Sequence, residues 1–269
     1  MKLKLILAAL VFSLAASTAS AQLAPPNASG ITYGHIHLNV RDIEVHKKFW
    51  AEYFDGEVVQ MGPLTTIKFP GMYIALTKAE PTGGSQGTVM DHFGFKVQST
   101  SDIVAKFRAA GLTVQSEFNG SEGFPNAYLM GPDDVRIELQ EDKTQKERVI
   151  GYHIHFQTPD YVSLMNWYID KFDMKQRKRG TIETTTDVPG MNLSFASARA
   201  ATPGTKGRSL DHIGFEIVNL VDFCKKLEAK GVKIDVQPRD IPSIGVKVAF
   251  LTDPNGTYIE LTEGLLKKQ

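Results

Sequence analysis

Four times along the chain, a short run of alternating apolar and polar residues precedes a stretch whose apolar residues return every three or four positions, and further short alternating runs follow. Alternation puts every second side chain on one face of a strand, and the wider spacing marks one face of a helix. The strand that opens at His35, in "GHIHLNV", leads into "DIEVHKKFWAEYF", where Ile43, His46, Phe49, Trp50 and Phe54 share a helical face and Asp42 is placed to cap it. The strand that opens at Asp91, "DHFGFKV", leads into "SDIVAKFRAAG", with Ile103, Phe107 and Ala110 inward, Ser101 or Asp102 at the cap and Gly111 at the stop. "DYVSLMNWYIDKF" and "NLVDFCKKLEAKG" predict two more helices, and "MNLSFASA", "VKVAFLTD" and "TYIELTE" predict strands. One strand, one helix and three strands, used four times, make an α+β arrangement.

The stretches repeat in content as well as in pattern. "GHIHLNVRD" returns as "YHIHFQTPD", "DHFGFKV" as "DHIGFEI", and "GPDDVRIELQE" as "DPNGTYIELTE". His35 to His153, His92 to His212 and Glu138 to Glu260 are offset by 118, 120 and 122 positions, so the chain carries a tandem duplicated domain. The first domain is expected at 30–141 and the second at 150–264, with the charged stretch 142–149 as linker, 22–29 as a flexible lead-in and 265–269 as a tail.

Residues 1–21 break the pattern. Lys2 and Lys4 precede "LILAALVFSLAA", and Ala19-Ser20-Ala21 supplies the small residues that signal peptidase accepts, which predicts a signal peptide and a mature start at Gln22. About a dozen apolar residues are too few to span a bilayer, so an exported protein, periplasmic or secreted, is expected, with no membrane partner after cleavage. The composition, 42% hydrophobic and 22% charged over 269 residues, is that of folded domains. Without Lys2 and Lys4 the basic side chains number two fewer than the 30 acidic ones, and no long run of one sign points to nucleic acid as a partner. The only cysteine, Cys224, can form no internal disulfide.

The histidines carry the chemical signal. Six of the seven, all but His46, lie in the repeated blocks, and Glu138 and Glu260 recur in the last strand of each copy. On a strand His35 and His37 point the same way, about 6.6 Å apart, as do His153 and His155. Either member of a pair can be a ligand, and the other a second ligand or a proton carrier. If the half-domain sheets of one copy curve to face each other, His35, His92 and Glu138 converge in one cup, and His153, His212 and Glu260 in another. Two imidazoles and a carboxylate hold a divalent cation and leave coordination positions open, which suits catalysis. A single strand histidine is more often a hydrogen-bonded core residue. Recurrence of the trio in both copies, around a carboxylate that is costly to bury alone, favours metal. Tyr258 shares a face with Glu260 and is a further candidate for the second cup, while His46 is expected to be structural.

These residues resemble the vicinal oxygen chelate superfamily, which includes glyoxalase I, extradiol ring-cleaving dioxygenases, fosfomycin-resistance enzymes and bleomycin-binding proteins. "HIHLNVRDIEVHKKFWAEYF" is similar to its opening strand and helix, "LDHIGFEIVNLVDFCKKLEAKGVKI" to its third-quarter pattern, and "LTDPNGTYIELTE" to its closing turn and metal-binding strand. The resemblance implies tandem domains, each of two βαβββ units forming a curved-sheet cup, and a divalent metal ion: Fe, Mn, Zn or Ni. By position it puts ligands at His35, His92 and Glu138 and at His153, His212 and Glu260. His37, His155 and Tyr258 then remain as catalytic candidates. The family's fourth ligand position falls on Ala75 and Ser194, so each trio is more similar to the extradiol enzymes. The chain departs from those enzymes in keeping both trios and in having no further histidine between His155 and Glu260 except His212. The implied activity is oxygenation, isomerisation or lyase chemistry on a small molecule with neighbouring oxygens, and the bleomycin-binding relatives imply sequestration as the alternative. Pairing of the domains within one chain or across a homodimer stays open.

Overall fold

The computed structural model describes residues 23–268, so the predicted signal peptide lies outside the described residues. Four βαβββ units follow one another. The first comprises β1 (Ile31–Val40), α1 (Ile43–Phe54), β2 (Glu57–Met61), β3 (Leu64–Phe69) and β4 (Met72–Lys78). The second comprises β5 (Met90–Val97), α2 (Thr100–Ala109), β6 (Val114–Asn119), β7 (Pro125–Met130) and β8 (Arg136–Glu141). The third comprises β9 (Val149–Gln157), α3 (Tyr161–Phe172), β10 (Lys175–Gln176), β11 (Thr185–Val188) and β12 (Met191–Ala196). The fourth comprises β13 (Leu210–Ile217), α4 (Leu220–Ala229), β14 (Ile234–Ile241), β15 (Val246–Thr252) and β16 (Tyr258–Glu263), and a 3-10 turn at Leu265–Lys268 is the last of the described elements.

Local chemistry sets the helix starts. The Asp42 carboxylate accepts from the backbone N–H of Glu44 and Val45, which satisfies two donors at the start of α1. In α2 the cap is Ser99 rather than Ser101 or Asp102: its hydroxyl accepts from the Asp102 N–H at 3.2 Å, so the helix begins earlier than the apolar spacing suggested.

The pairing of units corrects the expectation that each cup is built within one copy. β1 lies antiparallel to β13, and β5 lies antiparallel to β9. The strand orders are β14-β15-β16-β13-β1-β4-β3-β2 and β10-β11-β12-β9-β5-β8-β7-β6. The first sheet therefore joins units one and four, the second joins units two and three, and both are completed within a single chain. His35 shares its sheet with His212 and Glu260, not with His92 and Glu138. All four opening strands carry the same alternation, so the repeat identifies the units without saying whose edges meet.

One face of each sheet is apolar and shares a continuous core with the helices. Ile36, Ile74 and Ile213 from the first sheet and Phe93, Ile137 and Ile154 from the second belong to it, with Trp50, Phe54, Phe107 and Phe172 from α1, α2 and α3. Burying each such side chain contributes about 1.5–3 kcal/mol, so this face fixes the strand register that turns the alternate residues into the cups. A smaller apolar cluster of Leu23, Tyr73, Val246, Val248 and Leu265 lies on the cup side of the first sheet. Its member Leu23 is buried, so the expected flexible lead-in is packed down at that residue.

Candidate metal centres and the open cup

Two bulges aim side chains into each cup. On β1 the register steps from Tyr33 opposite Phe215 to His35 opposite Gly214, leaving Gly34 as the extra residue; on β9 Tyr152 is the extra residue between Gly151 and His153. Register also shifts at Asp91 and at Asp211, which lets each carboxylate bond the imidazole next to it in sequence. A Cβ on Gly214 would stand 2.0 Å from His35 Cε1, and one on Gly94 2.2 Å from His153 Cε1, so both rings rest where only glycine leaves room.

In the first cup, His35 Nε2 and His212 Nε2 lie 3.3 and 2.9 Å from the same oxygen, Oε2 of Glu260. His37 completes a group whose ligand atoms all lie within 4.8 Å of one another. In the second cup, His92 Nε2 and His153 Nε2 lie 2.9 and 3.0 Å from Glu138 Oε2, and His155 completes the group. Both predicted trios thus recombine across the duplication, and both members of each His-x-His enter a cluster.

The donor chemistry fits a divalent ion. His212 Nδ1 is 2.6 Å from Asp211 Oδ1, and His92 Nδ1 is 2.6 Å from Asp91 Oδ1. A carboxylate only accepts, so each Nδ1 carries the hydrogen and each Nε2 turns a lone pair toward a second carboxylate. Two lone pairs at 2.9 Å repel unless a cation lies between them. In the bare protein that cation is a proton: burial pulls the pKa of His212 down, but the bonds to Asp211 and Glu260 outweigh it and bring it up to about 9. Ligands at about 2.0–2.2 Å from a metal ion stand roughly 2.8–3.6 Å apart across octahedral to tetrahedral angles, the range of the separations here, so His35, His212 and Glu260, and likewise His92, His153 and Glu138, could hold one. Asp211 and Asp91 would fix the ring orientation from behind.

Burial opposes the charge of Glu260, but the nearby His35 and the bonds from His212 and His35 hold its pKa well below the usual carboxylate range. Burial pushes His37 down to about 3 and His153 down to about 4, so both are neutral near pH 7. His155 is also driven down by burial.

The cups differ in what fills them. In the first, Gly34 adds no side chain, and a cavity of about 260 Å³ remains between the cluster and solvent. His35, His37, Glu260, Thr66 and Thr262 line its polar end, and its walls include Met61, Leu64, Ile244, Val246 and Phe250. Tyr152 stands where Gly34 does, and its hydroxyl donates to Glu122 at 2.7 Å. The hairpin tips show the same relation: a Cβ on Gly62 would meet Ser243 O at 2.0 Å and one on Gly180 would meet Ser121 O at 2.0 Å, which makes Met61 and Arg179 equivalents. Arg179 is only 3% exposed, lies 3.6 Å from Glu122 and donates to Gln140 at 3.4 Å. The second cup is thus filled by a polar group of its own side chains. A larger depression of about 660 Å³, lined by Lys175, Arg177 and Met191 among others, contains none of the converging ligands, so size alone does not mark the site.

Other predicted residues fall as follows. Tyr258 packs against the His212 and Phe250 rings at 5.7 and 5.0 Å and is not among the cavity-lining residues. Ala75 offers no ligand atom, and the Ser194 hydroxyl donates to Asn192 at 2.9 Å. His46 is fully buried and bonded to Asp133 at 3.0 Å, a structural role. Sequence reasoning passed over Asp91, Asp211, Gly94 and Gly214, although "DHFGF" and "DHIGF" displayed them twice. It also passed over Asn126, whose amide donates to Glu138 at 2.6 Å, and Arg179, which had no counterpart in the other copy to signal it.

Known proteins share this architecture. Glyoxalase I from Zea mays superposes with a TM-score of 0.68 at 18% identity, covering 87% of this chain and 92% of that one. A putative dioxygenase from Bacillus subtilis gives 0.66 at 11% identity, covering 93% and 89%. At these identities the likeness is one of fold. A trivalent organoarsenical cleaving enzyme from Bacillus sp. (strain MD1) is 31% identical over 91 residues, which span 32% of this chain and 55% of that enzyme. Residues 32–139 and 151–261 each match the model of one protein family, and those two segments hold every converging histidine and both glutamates. The duplicated βαβββ units with their paired His-His-Glu clusters therefore belong to the Glyoxalase/Bleomycin resistance protein/Dioxygenase superfamily.

Proposed function

We propose that the chain is an exported metalloenzyme that works in the first cup, on a small molecule offering two neighbouring oxygens to a divalent ion held by His35, His212 and Glu260. The observation that carries this reading is the coincidence of the cluster with the unfilled cavity, whereas Tyr152 and Arg179 occupy the equivalent space of the second cup. A bound divalent ion supplies Lewis-acid polarisation of oxygen and stabilises negative charge that develops there. Apolar walls exclude water and strengthen that electrostatic effect. His37 lines the same cavity as a neutral imidazole with Nε2 2.7 Å from the Thr77 hydroxyl, so the pair can take up or pass on a substrate proton. Ala75 leaves a coordination position for substrate where a larger side chain would close it.

The activity in the name of the organoarsenical relative does not carry over readily. Trivalent arsenic is soft and calls for thiolates, and Cys224, the sole cysteine, is buried in α4 within the core and lines neither cup.

Metal analysis with a turnover screen tests the reading. His212→Ala and Glu260→Ala should each lose one metal per chain and all turnover, while His92→Ala keeps turnover; unchanged activity in the first two would sink it. Stoichiometric ligand protection without turnover would assign sequestration instead. Export is tested by N-terminal sequencing of protein from the periplasmic or secreted fraction, which should begin at Gln22.

A further inference from the structure

Two polar groups of the first cup are left without a role by the reading above. The Thr66 hydroxyl is buried, 2% exposed as a residue, and has no hydrogen-bond partner. It lines the cavity from β3, where Thr66 pairs with Ala75 on β4, and Ala75 in turn pairs with His37 on β1, so the hydroxyl is two strands from the cluster. A buried hydroxyl without a partner is destabilising, and a ligand oxygen in the cavity would supply the missing partner. The second group is Arg239 on β14. It is the only lysine or arginine among the cavity-lining residues, its side chain is exposed, and it has no ion-pair partner among the described residues. β14 pairs Arg239 with Val248 and β6 pairs Phe118 with Asn126, so the matching position of the filled cup is an aromatic residue. At this position, therefore, the open cup carries a free cation and the filled cup does not.

We infer that the first cup selects a compact, mainly apolar substrate bearing a carboxylate, which Arg239 binds at the mouth while the Thr66 hydroxyl donates to a substrate oxygen near the cluster. This rests on the metal-chelate reading and narrows its substrate class. Size agrees: about 260 Å³ is below the roughly 300–1,000 Å³ of pockets for drug-sized ligands, so one small ring or a short branched skeleton fits, and a nucleotide-sized conjugate does not. Geometry agrees as well, because ten of the lining residues, from Met61 to Leu265, are apolar and leave Arg239 as the one positive side chain that an anion can meet. Arginine suits the task, since its planar fork matches a carboxylate with two parallel bonds.

The test uses zinc-loaded full-length mature protein without oxygen, and two probes that present the same neighbouring hydroxyls: catechol, and 3,4-dihydroxybenzoate, which adds a carboxylate. Titration calorimetry should show wild type preferring the carboxylate probe by roughly tenfold, less at high salt because the arginine is exposed. Arg239→Gln should erase that preference and leave catechol affinity unchanged, and Arg239→Lys should restore part of it. Thr66→Val should weaken both probes by a similar factor. Equal binding of both probes by wild type, or a preference that survives Arg239→Gln, overturns the inference. A carboxylate preference that vanishes in Arg239→Gln, with the affinity of both probes unchanged when zinc is removed, supports the arginine and overturns the chelate reading. Failure of both probes on protein shown to hold zinc overturns both.

Discussion

His35 and Glu260 are 225 residues apart and come from opposite copies of the repeat, yet His35 Nε2 lies 3.3 Å from Glu260 Oε2. His212 Nε2 meets the same oxygen from a second strand. The centre is thus assembled by the pairing of β1 with β13, and β13 with β16.

Metal counts in double variants distinguish this pairing from one within each copy. His35→Ala with His212→Ala should lose no more than either alone, one metal per chain, because both act on one ion. His35→Ala with His92→Ala should lose two. The reverse pattern in elemental analysis would restore the within-copy cups.

Gly214→Ala adds one methyl group where a Cβ would stand 2.0 Å from His35 Cε1. The ring has to move, so the variant should lose metal from the first cup and keep it in the second, with mirror-image behaviour in Gly94→Ala. A thermal scan beside the metal assay shows whether the fold survives. Gly214→Ala with full metal and normal turnover would refute the seating role.

Chelation should destabilise the fold, since each cluster ties strands of one copy to strands of the other. A ligand at 100 times its dissociation constant stabilises by about 2.7 kcal/mol per site, so stripping two sites from a chain this size corresponds to a fall in Tm of roughly 10–20 °C. The quadruple variant His35→Ala, His212→Ala, His92→Ala, His153→Ala should show no such fall.

Glu216 gives a pH dependence independent of metal. Burial pushes its carboxyl up to about 7, although the backbone N–H groups of Gly264 and Leu266 donate to it and favour the charge. Its second oxygen is buried without a partner. With the folded pKa raised, the folded state keeps a proton that the unfolded chain releases from about pH 4.5, so stability falls as pH rises from there to about 7 and then levels off. Glu216→Gln should be more stable than wild type at pH 8, by on the order of 1–3 kcal/mol, and nearly equal to it at pH 5. Denaturant titrations at both pH values decide, and an equal difference at the two would remove the carboxyl as the cause.

Arg179→Met recreates in the second cup the residue that Met61 supplies to the first. Glu122 keeps its bonds from Tyr152 and Gln140, so the cost should be about 2–4 kcal/mol, no more than that of breaking a buried ion pair. Exchange of zinc from the second site into a chelating dye should speed up at least tenfold, with the first site unaffected. Unchanged exchange would show that Arg179 is no barrier.

The units, the helices and the ligand types were legible in the sequence because each is a short-range pattern: alternation for strands, helical spacing for α1 to α4, and the recurrence of His35, His92 and Glu138 as His153, His212 and Glu260. The partnership of cups was not, because strand pairing depends on which edges meet, and β5 and β13 expose nearly the same alternation to β1. The filling of the second cup was equally hidden. Tyr152 and Arg179 are ordinary residues until the bulge on β9 and the turn before Gly180 bring them over His153. The aspartates beside His92 and His212 were visible, but ideal alternation assigns them to the opposite face, and only a register shift brings them round.

A cup made from both copies has a bearing on how the chain could have diversified. Two identical single-copy chains assembling through their opening strands would have twin cups related by symmetry, and any side chain admitted to one would enter the other. Fusion into one polypeptide removes that constraint. Gly34 and Tyr152, or Met61 and Arg179, are free to differ, so one chamber can be given over to a ligand while its sibling becomes solid and serves as the keystone of the fold.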